Sequence, residues 1–125
     1  MFYSPQDDER MSIQNEINMF SILILTGNEE INIKACLESV SWCDDVWVLD
    51  CGSKDRTVEI AKEMGANVIT HPFDNFGNQR NYGIDNCKWK HDWVFDLDAD
   101  ERFTPELRAE CEELIKRDDK RACYG

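Results

Sequence analysis

The chain has 125 residues, with 26 acidic and 14 basic side chains and a formal net charge of −12 at pH 7. This length suits a single domain that buries its own core. The negative charge argues against a nucleic-acid-binding surface and against a polybasic membrane patch, because both require clustered Lys and Arg.

The N-terminal segment, residues 1–18, is polar and acidic, and we predict a disordered extension there. No segment reaches the roughly 20 consecutive apolar residues that span a bilayer, and the first residues do not follow the pattern of a secretion signal. The six cysteines show no Cys-x-x-Cys spacing. We therefore expect reduced thiols in a cytoplasmic protein.

Ordered structure is predicted from about residue 19, where short apolar segments alternate with segments of helical periodicity. The predicted strands are 20–25, 45–50, 67–70 and 92–98. The predicted helices are 29–40, a segment between 55 and 65, 77–87, and a last helix that begins at 105. This alternation predicts an α/β fold, with a mostly parallel open sheet and helices on both faces.

Capping residues support two of these helix boundaries. Ser53 or Asp55 is predicted to cap the N-terminus of the second helix. Gly65 is predicted to end this helix, because glycine is common just after a helix C-terminus. Thr104 is predicted to cap the last helix, with Pro105 at its first position.

Polar side chains follow all four predicted strands. The segments are TGNEE (26–30), DCGSKD (50–55), THPFDNFGNQRN (70–81) and DLDADE (96–101). In open α/β sheets the ligand lies beyond the carboxyl ends of the strands. The sequence therefore predicts a single binding site to which all four segments contribute.

The glycine-rich phosphate-binding motifs GxxxxGK[ST] and GxGxxG are absent from the sequence. If the ligand carries phosphates, a cation must then supply much of the positive charge. Mg²⁺ and Mn²⁺ prefer carboxylate oxygens and often bind through one or two protein carboxylates together with substrate phosphates. Asp98 and Asp100 are the predicted metal ligands, and Arg80 is a candidate second cation for a diphosphate.

The segment VFDLD also resembles the first motif of haloacid-dehalogenase-type phosphatases, in which Asp96 would be the nucleophile and Asp98 the general acid. That family usually continues with Gly and Thr, whereas this chain continues with Ala99 and Asp100. The 25 residues after Asp100 are also too few for the later motifs of that family. This alternative is therefore the weaker one.

The span from about residue 20 to 107 resembles the family-2 inverting glycosyltransferases with the GT-A fold. The resemblance rests, in order, on SILILTGNEEINIKACLESV, VWVLDCGSKDRTVEIAKEMGANV, FGNQRNYGI and WVFDLDADERFTPEL. Within that family the chain is most similar to bacterial enzymes that add a sugar to the lipopolysaccharide core. The resemblance implies that residues 19–125 are the nucleotide-sugar-binding part of the domain, truncated before the acceptor half.

The resemblance also implies roles for individual residues. Asp50 would accept a hydrogen bond from the uracil edge, Asp100 would contact the metal, and Asp98 would contact the ribose or the metal. The nucleotide-binding residues implied in this way are Thr26, Asn28, Glu29, Asp50, Gly52, Ser53, Gln79, Arg80, Asn81 and Asp98. One departure is Gly27, where relatives often carry Lys or another large residue, which leaves the donor specificity open.

The implied activity is transfer of a sugar from a UDP-sugar to a glycan or lipid-linked saccharide, with Mg²⁺ or Mn²⁺ and with inversion of configuration. The catalytic base is expected beyond Gly125, and so is any peripheral contact with the inner face of the plasma membrane. A nucleotide-binding module without catalytic activity remains an alternative. Calorimetry with UDP and Mn²⁺ would separate both hypotheses from the phosphatase interpretation.

Overall fold

The computed structural model describes residues 2–3 and 20–116. It contains five strands and four helices in these residues. The strands are β1 (Phe2–Tyr3), β2 (Ser21–Thr26), β3 (Val46–Asp50), β4 (Asn67–Thr70) and β5 (Val94–Asp98), and the helices are α1 (Glu30–Ser39), α2 (Thr57–Glu63), α3 (Phe76–Asn86) and α4 (Pro105–Lys116).

The strands form one sheet with the order β1-β5-β2-β3-β4. Strands β5, β2, β3 and β4 run parallel to one another, which confirms the predicted parallel α/β sheet. β1 pairs antiparallel with β5, with Phe2 opposite Phe95. The expectation of disorder over residues 1–18 therefore does not hold for Phe2–Tyr3, and the rest of that segment lies outside the described residues.

The sheet is buried on both faces, because the side chains of β2 alternate between two apolar clusters. Ile22 and Ile24 pack in the cluster that also contains residues of α1, α2 and α4. Leu23 packs on the opposite face with Leu49, against residues of α3. A Cβ placed on Gly83 of α3 would lie 2.9 Å from Leu23 Cδ2. The glycine therefore lets this helix approach the sheet closely.

Three helix ends show why the predicted boundaries were right or wrong. α3 begins at Phe76, one residue earlier than predicted, because the Asn75 side chain caps it by accepting a hydrogen bond from Asn78 N. Thr104 caps α4 as predicted, through a 3.1 Å hydrogen bond from Leu107 N to its Oγ1. Gly65 follows α2 with φ +88°, as predicted.

The capping prediction for α2 was half right. The residue that precedes the helix is Arg56, and its side chain makes no capping hydrogen bond. Asp55 does accept a hydrogen bond from Thr57 N in the first turn, whereas Ser53 bonds elsewhere.

No helix among residues 20–116 is long and apolar enough to cross a membrane.

Candidate functional site

A cleft of about 390 Å³ crosses the carboxyl ends of the four parallel strands. All four polar segments contribute to it, as the strand order predicts. The cleft is lined by Leu25, Thr26, Gly27, Glu29, Cys51, Phe73, Phe76, Gln79, Asp98, Ala99 and Asp100. The structure thus brings five of the predicted site residues together: Thr26, Glu29, Gln79, Asp98 and Asp100. Their role in binding a nucleotide stays a prediction.

Asp50 is buried beneath the cleft, with 1% of its surface exposed. Its Oδ1 accepts hydrogen bonds from Thr26 Oγ1 at 2.7 Å and from Ser53 Oγ at 2.5 Å. Its Oδ2 accepts from the backbone N–H groups of Gly52 and Ser53, at 2.8 and 2.6 Å. A carboxylate has about four acceptor positions, so these four bonds use them all. A contact between Asp50 and a uracil edge would require one of these bonds to break.

The same turn controls the ionisation of Asp50. Burial by itself would raise the pKa of this carboxyl, but the hydrogen bonds from Ser53, Thr26 and Gly52 outweigh burial and hold the pKa below its usual value. Gly52 has φ +107°, a conformation that favours glycine, so the turn that surrounds the carboxylate depends on this residue.

Asn28 and Ser53 join two loops and do not line the cleft. Asn28 adopts φ +54°, donates its backbone N–H to Ser53 Oγ at 2.7 Å, and accepts from Lys54 N through Oδ1 at 2.8 Å. Nearby, Asp55 Oδ2 accepts from Glu30 N at 3.1 Å. These bonds hold the loop after β2 against the turn after β3. Asn28 and Ser53 therefore shape the cleft from behind.

Asp98 and Asp100 are both exposed in the cleft. Burial raises the pKa of Asp98 above its ordinary value, and the charges of three neighbouring carboxylates raise it further. Those carboxylates belong to Glu101, Asp96 and Asp100. Such a concentration of negative charge is costly without a counterion. The pair therefore fits a divalent cation by the chemistry of its donor oxygens.

A cation held by Asp98 and Asp100 would need further ligands. Among residues 20–116, no group of three or more His, Cys, Asp and Glu side chains is arranged to hold a metal ion. Glu101, beside the pair, turns back and accepts a hydrogen bond from Asp98 N at 3.1 Å. Two protein carboxylates are nevertheless what Mg²⁺ commonly uses when substrate phosphates complete its coordination.

Arg80 is absent from the lining of the cleft. Its Nε donates to Asp96 Oδ2 at 2.5 Å, and both residues line a neighbouring cavity that meets the cleft at Asp98. The Asp96 side chain is 6% exposed, and its Oδ1 has no hydrogen-bond partner among the described residues. Arg80 thus neutralises a buried carboxylate through Nε, and its predicted contact with a diphosphate stays a prediction.

Gln79 fixes the connection between β4 and α3. It is buried, its Nε2 donates to the carbonyl oxygen of His71 at 2.9 Å, and its Oε1 lies 3.1 Å from His71 Nδ1. The His71 ring stacks on Tyr82 with 3.8 Å between ring centroids. Gln79 therefore contributes to the cleft wall chiefly as a positioned amide, whereas Asn81 is exposed outside the cleft.

Six residues of the cleft wall are not among the predicted site residues: Leu25, Gly27, Cys51, Phe73, Phe76 and Ala99. The two phenylalanines could have been found as apolar residues within an otherwise polar segment that follows a strand. Cys51 explains the departure at Gly27, because a Cβ on Gly27 would lie 2.8 Å from Cys51 Sγ. The two positions are therefore packed against each other, and a larger residue at 27 needs a different neighbour at 51.

Comparison with known protein families identifies the chain. The family model for glycosyl transferase family 2 matches residues 21–125. The chain is 41% identical over 96 residues to an uncharacterized glycosyltransferase of Rickettsia typhi, covering 76% of this chain and 32% of that protein. It is 28% identical over 105 residues to the lipopolysaccharide core biosynthesis glycosyltransferase LpsC of Rhizobium meliloti, covering 80% of this chain and 38% of LpsC. The chain thus spans about a third of the length of these relatives.

Solved structures agree with this result. Glucosyl-3-phosphoglycerate synthase from Mycobacterium tuberculosis, in complex with UDP, superposes with a TM-score of 0.57 at 25% identity, over 66% of this chain and 34% of that one. Another structure of that enzyme, with Mn²⁺, UDP and glucosyl-3-phosphoglycerate, gives a TM-score of 0.55 at 24% identity, over 65% of this chain and 33% of that one. The fold is that of the GT-A glycosyltransferases, and the chain belongs to glycosyltransferase family 2.

Proposed function

We propose that this chain is the donor-binding part of a glycosyltransferase that transfers a sugar from a UDP-sugar to a saccharide acceptor, with inversion at the anomeric carbon. The observation that carries the proposal is the cleft itself. It combines a pair of exposed carboxylates, Asp98 and Asp100, with a wall of small and apolar residues at the carboxyl ends of parallel strands. UDP in the structure of the related synthase supports the choice of nucleotide.

Asp98 and Asp100 are the residues that would hold Mg²⁺ or Mn²⁺ in the cleft. When bound, the cation would supply positive charge that stabilises the leaving diphosphate. Asp98 also lies where the cleft meets the neighbouring cavity, which supports our assignment of it as a contact of the ribose or the metal.

The other predicted nucleotide-binding residues divide into two groups. Thr26, Glu29 and Gln79 line the cleft and would contact the nucleotide. Asn28, Asp50, Gly52 and Ser53 hold the two loops that shape the cleft, through the hydrogen bonds described above. We assign this second group a positioning role. Arg80 holds Asp96 and would support β5 in the same way.

The phosphatase alternative finds no support in the geometry of Asp96. A nucleophilic aspartate must reach its substrate with a free carboxylate, but the Asp96 side chain is 6% exposed and ion-paired with Arg80. The likeness to LpsC supports a lipopolysaccharide-type acceptor.

Calorimetry with UDP tests the proposal, in the presence and in the absence of Mn²⁺. The wild-type chain should bind UDP only when the metal is present. Asp100→Ala should abolish this metal-dependent binding without changing the circular dichroism spectrum, because it removes a cation ligand from an exposed position. Asp85→Ala is the matched control, since Asp85 is an exposed aspartate outside the cleft. Equal affinity of Asp100→Ala and wild type for UDP would refute the metal role.

A further inference from the structure

Two exposed phenylalanines form one wall of the cleft. Phe73 is 48% exposed and Phe76 is 65% exposed. Their rings meet edge to face, with centroids 5.1 Å apart and an interplanar angle of 72°. They are the two exposed aromatic side chains of the region 20–116, and both line the cleft. Large apolar surface left exposed beside a polar site commonly marks a place where a ligand binds.

The aromatic pair and the carboxylate pair belong to the segments at the ends of β4 and β5, the two outer strands of the parallel part of the sheet. Asp98 ends β5 and Asp100 follows it, whereas Phe73 and Phe76 follow β4. The strands β2 and β3 lie between β5 and β4 in the sheet. Three interstrand spacings separate the two ends, which is about 14 Å across the sheet. A nucleoside diphosphate has the same division, with charged phosphates at one end and a flat base at the other.

The backbone beneath the aromatic pair is well held. Asn75, which lies between the two phenylalanines, caps α3 by accepting from Asn78 N at 2.8 Å. Gln79, one turn further along, bonds to the carbonyl oxygen of His71 at 2.9 Å. The main chain is thus fixed on both sides of the pair while the two rings remain exposed. A preorganised aromatic surface of this kind binds a ring with little loss of conformational entropy.

We propose that Phe73 and Phe76 bind the nucleobase of the donor through their ring faces and edges. Aromatic side chains stack on bases without needing hydrogen bonds, because every base has a π-face. This inference rests on the proposed function, because it assigns the orientation of the nucleotide in the same cleft. It places the base at the β4 end and the diphosphate at the β5 end, and it makes the β4–α3 connection a determinant of affinity for the donor.

The test compares UDP with inorganic pyrophosphate, each with Mn²⁺, because pyrophosphate has the charged end of UDP without the base. In the variant Phe73→Ala/Phe76→Ala the affinity for UDP should fall about 5- to 100-fold. The affinity for pyrophosphate should stay within about twofold of wild type. Ile31→Ala is the matched control, since Ile31 is 91% exposed and does not line the cleft. It should leave both affinities unchanged.

Proton NMR of UDP gives a second readout that does not depend on affinity alone. Stacked rings shift the H5 and H6 resonances of uracil upfield, and this shift should disappear in the double variant when the ligand is saturating. Equal UDP affinity and equal shifts in the double variant and wild type would overturn the inference and leave the proposed function standing. A parallel loss of pyrophosphate affinity would also overturn it, because the pair would then support the cation site. Absence of metal-dependent UDP binding in wild type would instead refute the proposed function itself.

Discussion

Substitution of Asp50 distinguishes two possible roles of this residue, organising the turn after β3 and binding the base of the nucleotide. Asp50→Asn replaces one carboxylate oxygen with an NH₂ group, which cannot accept hydrogen bonds. Each oxygen accepts two bonds here, from Thr26 and Ser53 or from Gly52 and Ser53. The hydroxyl groups of Thr26 and Ser53 can turn to accept from the NH₂ group, so the asparagine can keep its oxygen toward the two backbone N–H groups. All four bonds then lose the carboxylate charge that strengthens them.

The magnitude follows from these bonds. Hydrogen bonds to charged groups contribute roughly 1.5–3 kcal/mol each and neutral ones roughly 0.5–1.5 kcal/mol, so the change at these four bonds corresponds to about 4–6 kcal/mol before relaxation. Gly52 is exposed and Ser53 is half-buried, so water can replace part of what is lost. We therefore expect Asp50→Asn to lower the free energy of unfolding by about 2–4 kcal/mol, a large share of the roughly 5–15 kcal/mol typical of a domain.

The assay is urea unfolding followed by far-UV circular dichroism, together with calorimetry of UDP and Mn²⁺ at a urea-free condition where the variant is folded. Asp85→Asn is the control for the same chemical change at an exposed site. A variant that unfolds at the wild-type urea concentration but no longer binds UDP would refute our reasoning. It would show that Asp50 contacts the base directly, as the family resemblance implies.

Three further predictions concern the cleft and its charges. Gly27→Ala should lower the free energy of unfolding by about 1–3 kcal/mol, because its Cβ would lie 2.8 Å from Cys51 Sγ. Urea unfolding of the double variant with Cys51→Ala should recover part of this loss, and strictly additive effects of the two substitutions would contradict the contact. Asp98→Asn should raise the midpoint temperature of unfolding in metal-free buffer, because the raised pKa of Asp98 means that its ionised form is disfavoured in the folded state. A lowered midpoint temperature would show that the neighbouring negative charges are already compensated. The pKa of Asp50 is lowered in the folded state, so its contribution to stability is complete above the unfolded pKa of about 3.9 and is lost as the pH falls through the folded value. The loss of stability below about pH 4 should therefore be smaller in Asp50→Asn than in wild type. Identical stability profiles in acid would argue against this linkage.

The sequence by itself determined the class of fold and the edge of the sheet at which the cleft lies. Apolar segments that alternate with helical periodicity leave little choice other than a parallel sheet covered on both faces. Polar residues that follow each strand must then gather at one edge, since parallel strands end on the same side. The motif that contains Asp98 and Asp100 could also be found from the sequence, because the spacing of two residues along the chain is enough to bring two carboxylates to the end of one strand.

Only the tertiary structure decided which polar side chains face the cleft. Asp50 and Asp98 both end a strand, yet Asp50 turns inward to Thr26 and Ser53 while Asp98 is exposed. Arg80 pairs with Asp96, 16 residues away in the chain. Such choices depend on partners from other elements of the fold. A side chain's direction is set by whichever hydrogen bonds and charges the packed strands and helices bring within reach, and no local pattern of residues records that.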